Sequence, residues 1–156
     1  MCALRVNDLI RKYEEVIKSS KPITGMVVVR RQRREETGRV VLDNPETGND
    51  YVNIAPIRKF VEKGVTELEY PEAVGIYLFN NSIFDYLHDT SEKMRGTFNL
   101  SHDILADITP GKLYSYDIDN NTEWIGVDSP SHADRNKEII TKILLQMEDT
   151  DTHNGA

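Results

Sequence analysis

Several residue types and patterns are scarce in this 156-residue chain, and each scarcity removes a class of explanation. Cysteine occurs once, as Cys2, so no internal disulfide can staple the fold, which suits a reducing, cytoplasmic setting. Cys2 has no partner base beside it and is a poor nucleophile. No apolar run approaches the roughly 20 residues that span a bilayer. "MCALRVNDLI" lacks the basic-then-apolar order of a secretory leader, so no membrane partner is expected. Basic charge is short: 19 Lys and Arg against 26 Asp and Glu give a net charge of −7, the wrong sign for nucleic-acid binding. A glycine-rich phosphate loop is missing; "TGMVVV" and "PGK" have neither its spacing nor the helix that must follow. No cysteine cluster or His-x-x-x-His pair offers zinc ligands. The four histidines, His88, His102, His132 and His153, all fall in polar stretches, where a surface place is expected.

What is present reads as a globular domain. Hydrophobic residues make up 38% and charged residues 29%, enough for a core in a chain of this length. The expected domain is 1–147, followed by a polar tail over 148–156. Asn7 or Asp8 can cap a helix through about Ile17, with Leu9, Ile10, Tyr13, Val16 and Ile17 on one face. "ITGMVVV" (Ile23–Val29) is a continuous β-branched run that suits a strand covered on both faces. "GRVVLD" (Gly38–Asp43), "IRKFVEK" (Ile57–Lys63) and "EAVGIYLFN" (Glu72–Asn80) read as further strands. In the second, Ile57, Lys59 and Val61 alternate with Arg58, Phe60 and Glu62.

Ser82 and Ser101 are candidate caps for two short helices, the first carrying Ile83, Phe84 and Leu87 inward and the second Ile104, Leu105 and Ile108. "KLYSYDI" and "TEWIGV" read as strands. Ser129 then caps a last helix that starts at Pro130, with Ile139, Ile140, Ile143, Leu144 and Met147 as its buried stripe. Helices and strands intermix from end to end, which gives an α/β fold with a mixed, mainly parallel sheet flanked by helices.

Three places can carry chemistry, and each has a plainer alternative. "RRQRREE" brings together Arg30, Arg31, Arg33 and Arg34, either to clamp a phosphate or as a solvated strand end partly neutralised by Glu35 and Glu36. In "FVEKG" (Phe60–Gly64), Lys63 can pair with a ligand phosphate and Glu62 can accept hydrogen bonds from hydroxyls. The same two residues can equally be an exposed pair at a turn. In "WIGVDSP", Asp128 stands at a strand end leading into a helix, where α/β folds place ligands. One carboxylate there can hold Mg²⁺ together with waters and substrate phosphate oxygens, or it can simply cap the helix with Ser129.

The order of "GRVVLD", "IRKFVEKG", "AVGIYLFNNSIFDYL", "TFNLSHDILADI", "GKLYSYDI" and "WIGVDSPSHADRN" resembles the sugar nucleotidyltransferases, the NDP-sugar pyrophosphorylases. That family shows a "YGVVELD"-like strand, then "FVEKP", then "NAGIYVFNPEIFDYI", an "EKDILPKL"-like helix and a "WIDIGTPEDYLEAN"-like ending. The resemblance runs from about Asp8 to Met147. It implies a Rossmann-like fold and a reaction in which a sugar 1-phosphate oxygen attacks the α-phosphate of an NTP, with Mg²⁺, to give a nucleotide sugar and pyrophosphate.

By position, the resemblance assigns Glu62 to sugar hydroxyls and Lys63 to the sugar phosphate. It assigns Gly38 and Gly75 to close backbone approach, and Asp128 to the metal. The sequence departs from the pattern in places. Gly64 replaces the usual Pro, and Ala73 stands where Asn is common. Gly126 occupies the usual metal-Asp position, and Asp128 lies two residues on, which in a strand is the same face. The family's "GxGTRL"-like loop and later "GD" carboxylate are absent, so the chain reads as the sugar-binding, C-terminal half. Such a half would pair with an NTP-binding chain, or would self-associate through the sheet edge left exposed.

Overall fold

The computed structural model describes residues 4–19, 23–30, 38–43, 54–61, 70–94, 96–108, 111–118, 122–127 and 129–152. Val6–Ser19 form helix α1, whose Leu9 and Val16 are buried while Ile10 and Ile17 lie on the exposed side. The apolar stripe is thus narrower than the sequence spacing suggests. Among the described residues, no helix is long and apolar enough to cross a membrane.

The β-branched run becomes β1 (Gly25–Arg30), buried at every position as expected for a strand covered on both faces. β2 (Arg39–Leu42), β3 (Ile54–Val61), β4 (Glu72–Phe79) and β5 (Leu113–Asp117) complete the sheet, which closes on itself in the order β1-β4-β2-β3-β5. The fold is α/β and the sheet mixed, but it is not mainly parallel. Only β1 and β5 run parallel; the other pairings are antiparallel. Connection length is one reason. The link from Leu42 to Ile54 is shorter than the dozen or so residues a parallel crossover takes, so β2 and β3 pair antiparallel. Closure also corrects the expectation of an exposed sheet edge: each of these five strands has a neighbour on both sides.

Two irregularities re-aim side chains. Val41 pairs with Lys59 but Leu42 pairs with Ile57, so Arg58 is an extra residue in β3. That bulge shifts the phase of the strand. Ile57 and Phe60 are both buried, and the simple alternation of Ile57, Lys59 and Val61 is lost. In β4, the pairs Val27↔Tyr77 and Val29↔Ala73 bracket a second irregularity, and Gly75 lies inside it with φ +77°.

The core joins Val27 and Val29 of β1, Val40 of β2 and Ile57 and Phe60 of β3 to the helical segment that follows β4. That segment begins with α2 (Ile83–Lys93), where the Ser82 side chain makes no cap bond and instead donates to Asn80 Oδ1 at 2.6 Å. Leu100–Leu105 then form a π-helical turn that runs into α3 (Ala106–Ile108), burying Ile104, Leu105 and Ile108. Its cap is Asn99 rather than Ser101: Asn99 Oδ1 accepts from the backbone N–H of Ser101 at 2.9 Å and of His102 at 3.3 Å. Asp103 returns the arrangement by accepting the Asn99 N–H at 2.6 Å.

The chain divides into two compact units, Val6–Ile118 and Met1–Arg5 with Asp119–Ala156. In the second, the expected strand "TEWIGV" is reduced to an isolated bridge at Trp124, although Trp124 and Ile125 are both buried. Ser129 caps α4 (Pro130–Arg135), its side chain accepting the His132 N–H at 3.2 Å with Pro130 in the first turn. Asn136 breaks the expected single helix, because its side-chain amide donates to the His132 carbonyl at 2.9 Å. α5 (Lys137–Thr152) follows. Of its expected stripe only Ile143 is fully buried; Leu144 and Met147 are exposed.

Candidate functional site

The strands of the first unit meet at a seam built around Arg39. Its Cα partners are Val61, the last residue of β3, and Glu72, the first of β4. Glu72 also pairs with Arg30, the last residue of β1. Two backbone hydrogen bonds stitch β2 to the start of β4: Ala73 N–H donates to the Gly38 carbonyl at 2.9 Å and Val40 N–H to the Pro71 carbonyl at 3.0 Å.

Three charges are buried at this seam. Arg30 donates from Nε at 3.2 Å and Nη2 at 3.1 Å to Glu72 Oε2. Arg39 Nη1 lies 3.2 Å from Glu72 Oε1. The side chains of Arg30, Glu72 and Arg39 are 7%, 1% and 8% exposed. A carboxylate this deep keeps its charge only if it is paired and hydrogen-bonded, and each of its oxygens has a guanidinium partner. All three residues make further interactions beyond these. Arg30 is therefore neither a solvated strand end nor an open phosphate clamp; Arg31, Arg33 and Arg34 lie outside the described residues.

The site residues singled out from the sequence divide as follows. Gly38 sits at the seam, and a Cβ there would come within 2.7 Å of the Phe60 ring, so the position is small because the ring fills the space. Gly75 lies on β4 beyond Ala73, exposed, with nothing within 4 Å of a would-be Cβ; it is glycine because of its positive φ, not because of crowding. Glu62 and Lys63 follow Val61 directly and lie outside the described residues, as does Asp128. Ser129 caps α4, as either reading of Asp128 expected.

Arg39 and Glu72 were not legible as partners. The available signal was one acid opening an otherwise apolar strand and one base opening another, which by itself identifies no pair. The histidines behave largely as expected: His88 and His102 are about two-thirds exposed, beside Asp89 and Asp103 respectively. His132 is half-buried, and His153 and Cys2 lie outside the described residues. Among the described residues no group of three or more His, Cys, Asp or Glu side chains could hold a metal ion.

The family model for nucleotidyl transferases matches residues 3–146 of the chain, which takes in nearly all of it. No curated protein matches.

Proposed function

The chain belongs to the nucleotidyl transferase family, and from that premise we propose that it holds a sugar 1-phosphate at the strand seam. In the reaction this assigns to a complete enzyme, an oxygen of the sugar 1-phosphate attacks the α-phosphorus of an NTP. The bond to the outer phosphates breaks, and nucleotide sugar and pyrophosphate leave. Positioning and neutralisation of phosphate charge supply most of the acceleration. Lys63 pairs with the sugar phosphate, Glu62 accepts hydrogen bonds from sugar hydroxyls, and the backbone at Gly38 and Gly75 stands close to the sugar.

The observation that carries the reading is the double pairing of Arg39. It ties β2, which begins directly after Gly38, both to the end of β3, where the chain continues into Glu62 and Lys63, and to the strand that contains Gly75. Three strands distant in sequence thus meet at Arg39, which supports the reading.

On the resemblance alone, we propose Asp128 as a carboxylate for Mg²⁺. A lone carboxylate suits this ion, which keeps waters and takes substrate phosphate oxygens rather than needing an all-protein cage.

Titration calorimetry with hexose 1-phosphates and nucleotide sugars, with and without Mg²⁺, tests the proposal. Binding is expected, and Lys63→Ala should weaken it by about tenfold or more, the loss typical of a charge-assisted contact. Failure of every such ligand to bind would sink it. A second reading is a non-catalytic sugar-phosphate-binding or regulatory subunit, acting alone or with an NTP-binding chain. It is favoured by the lack of a glycine-rich phosphate loop anywhere in the 156 residues.

A further inference from the structure

We infer that Glu72 is a positioning residue: through Arg39 and Arg30 it sets the register in which the β2–β3 ladder meets β4, and so aligns Gly38 and the end of β3 at Val61 with the Gly75 strand. The inference rests on the sugar-phosphate reading above. It starts from how slight the β2–β4 contact is. Among the described residues one pair of Cα partners joins these strands, Arg39↔Glu72, whereas β1 and β4 share pairs from Gly25↔Phe79 to Arg30↔Glu72. The two hydrogen bonds, Ala73 N–H to Gly38 O and Val40 N–H to Pro71 O, complete the seam.

So short a ladder specifies register weakly, since a slipped pairing can remake backbone bonds of the same kind. The ions cannot slip. Moving β2 by one residue displaces Arg39 by about 3.3 Å and turns its side chain to the other face. Its 3.2 Å contact with Glu72 Oε1 would be lost, and buried charges would be left without it in a water-poor seam. Arg30 holds the other carboxylate oxygen from β1, so Glu72 is gripped from both neighbouring strands. The cluster penalises every register but one.

Three variants test this, each checked for native far-UV circular dichroism: Glu72→Gln, Arg39→Lys, and the triple Arg30→Met/Glu72→Leu/Arg39→Met. The triple variant replaces the ions with apolar side chains, an exchange that commonly keeps a protein folded where a single deletion does not. Two measurements are made on each, hydrogen exchange by NMR and calorimetry with a hexose 1-phosphate.

In folded Glu72→Gln or the triple variant, exchange should quicken at the Val40 and Ala73 amides. The Ile118 amide, which donates to Val29 on the opposite side of β1, should keep its protection. Hexose 1-phosphate affinity should fall by about tenfold, within the range by which residues outside a site modulate it. Added ligand should restore protection at Val40 and Ala73, and Arg39→Lys should lie between wild type and Glu72→Gln.

Unchanged affinity in a folded variant would overturn the inference. So would equal loss of protection at Ile118, or global unfolding of both Glu72→Gln and the triple variant, since either would place the cluster in stability alone. A wild-type protein that binds no hexose 1-phosphate would instead remove the reading on which the inference rests.

Discussion

At the scale of single residues, the two glycines of the site are small for different reasons. The sequence marked Gly38 and Gly75 alike, as places where backbone approaches a ligand. The structure separates them. Gly38 faces a ring: an added Cβ would lie 2.7 Å from Phe60 Cε1, and Phe60 is buried and has little room to move. Gly75 faces open space, and its constraint is the left-handed backbone alone. Gly38→Ala is therefore expected to destabilise the chain by about 1–3 kcal/mol through overpacking, read from urea unfolding. Gly38→Ala combined with Phe60→Leu should recover much of that loss, because the smaller side chain vacates the space. If the second change recovers nothing, crowding by Phe60 is not why glycine stands there. Only tertiary contact could reveal this, since Gly38 and Phe60 are brought together by strand pairing.

At the scale of elements, local sequence placed the helix starts at Ile83 and Pro130 well, but Asn7 and Asp8, expected as caps of the first helix, lie inside Val6–Ser19. Ser129–Pro130 was legible because both signals act within one turn, and the structure keeps them. "NLSHD" held two good caps, Asn99 and Ser101, and the choice between them depends on which residues of the following turn must be buried. Burial of Ile104 and Leu105 makes Asn99 the cap. Asn99→Ala should cost about 1 kcal/mol, whereas Ser101→Ala should cost close to nothing in the same unfolding experiment.

The turn also carries a pH dependence. The Asn99 backbone N–H, and secondarily the His102 side chain, hold the Asp103 carboxyl below the usual carboxylate range. Because the folded form binds its proton less readily than the unfolded chain, its contribution to stability is complete above the ordinary carboxylate pKa. That contribution disappears as pH falls through the lowered folded value. Thermal unfolding followed from about pH 6 to about pH 3 should show a shallower acid decline for Asp103→Asn than for the wild type. Equal slopes would mean that the carboxylate is not held by the turn.

At the scale of the whole molecule, the decisive features are one presence and one lack. The barrel provides a seam where β2, β3 and β4 meet. The 156 residues contain no glycine-rich loop to cradle NTP phosphates. This chain alone should therefore release no pyrophosphate from any NTP with a hexose 1-phosphate, even where calorimetry detects the sugar phosphate. Pyrophosphate release at an enzyme-like rate, abolished by Lys63→Ala, would contradict that and would require an NTP site built from other residues.

The sequence by itself determined the kinds of element and most of their places, because hydrophobic period, turn residues and helix caps act over a few neighbouring positions. It determined that β1 is buried on both faces, and its ordered motifs pointed to the nucleotidyl transferase family. Tertiary structure alone decided how the strands pair, that the sheet closes rather than ending in an open edge, and that Arg30 leaves the solvent. These outcomes depend on contacts between distant positions. Arg30 and Glu72 are 42 residues apart, and neither gives local notice of the other. A charge near a strand end reads as solvated until the fold provides a partner of opposite sign within hydrogen-bond reach, and the physics of buried ions then makes that partner indispensable.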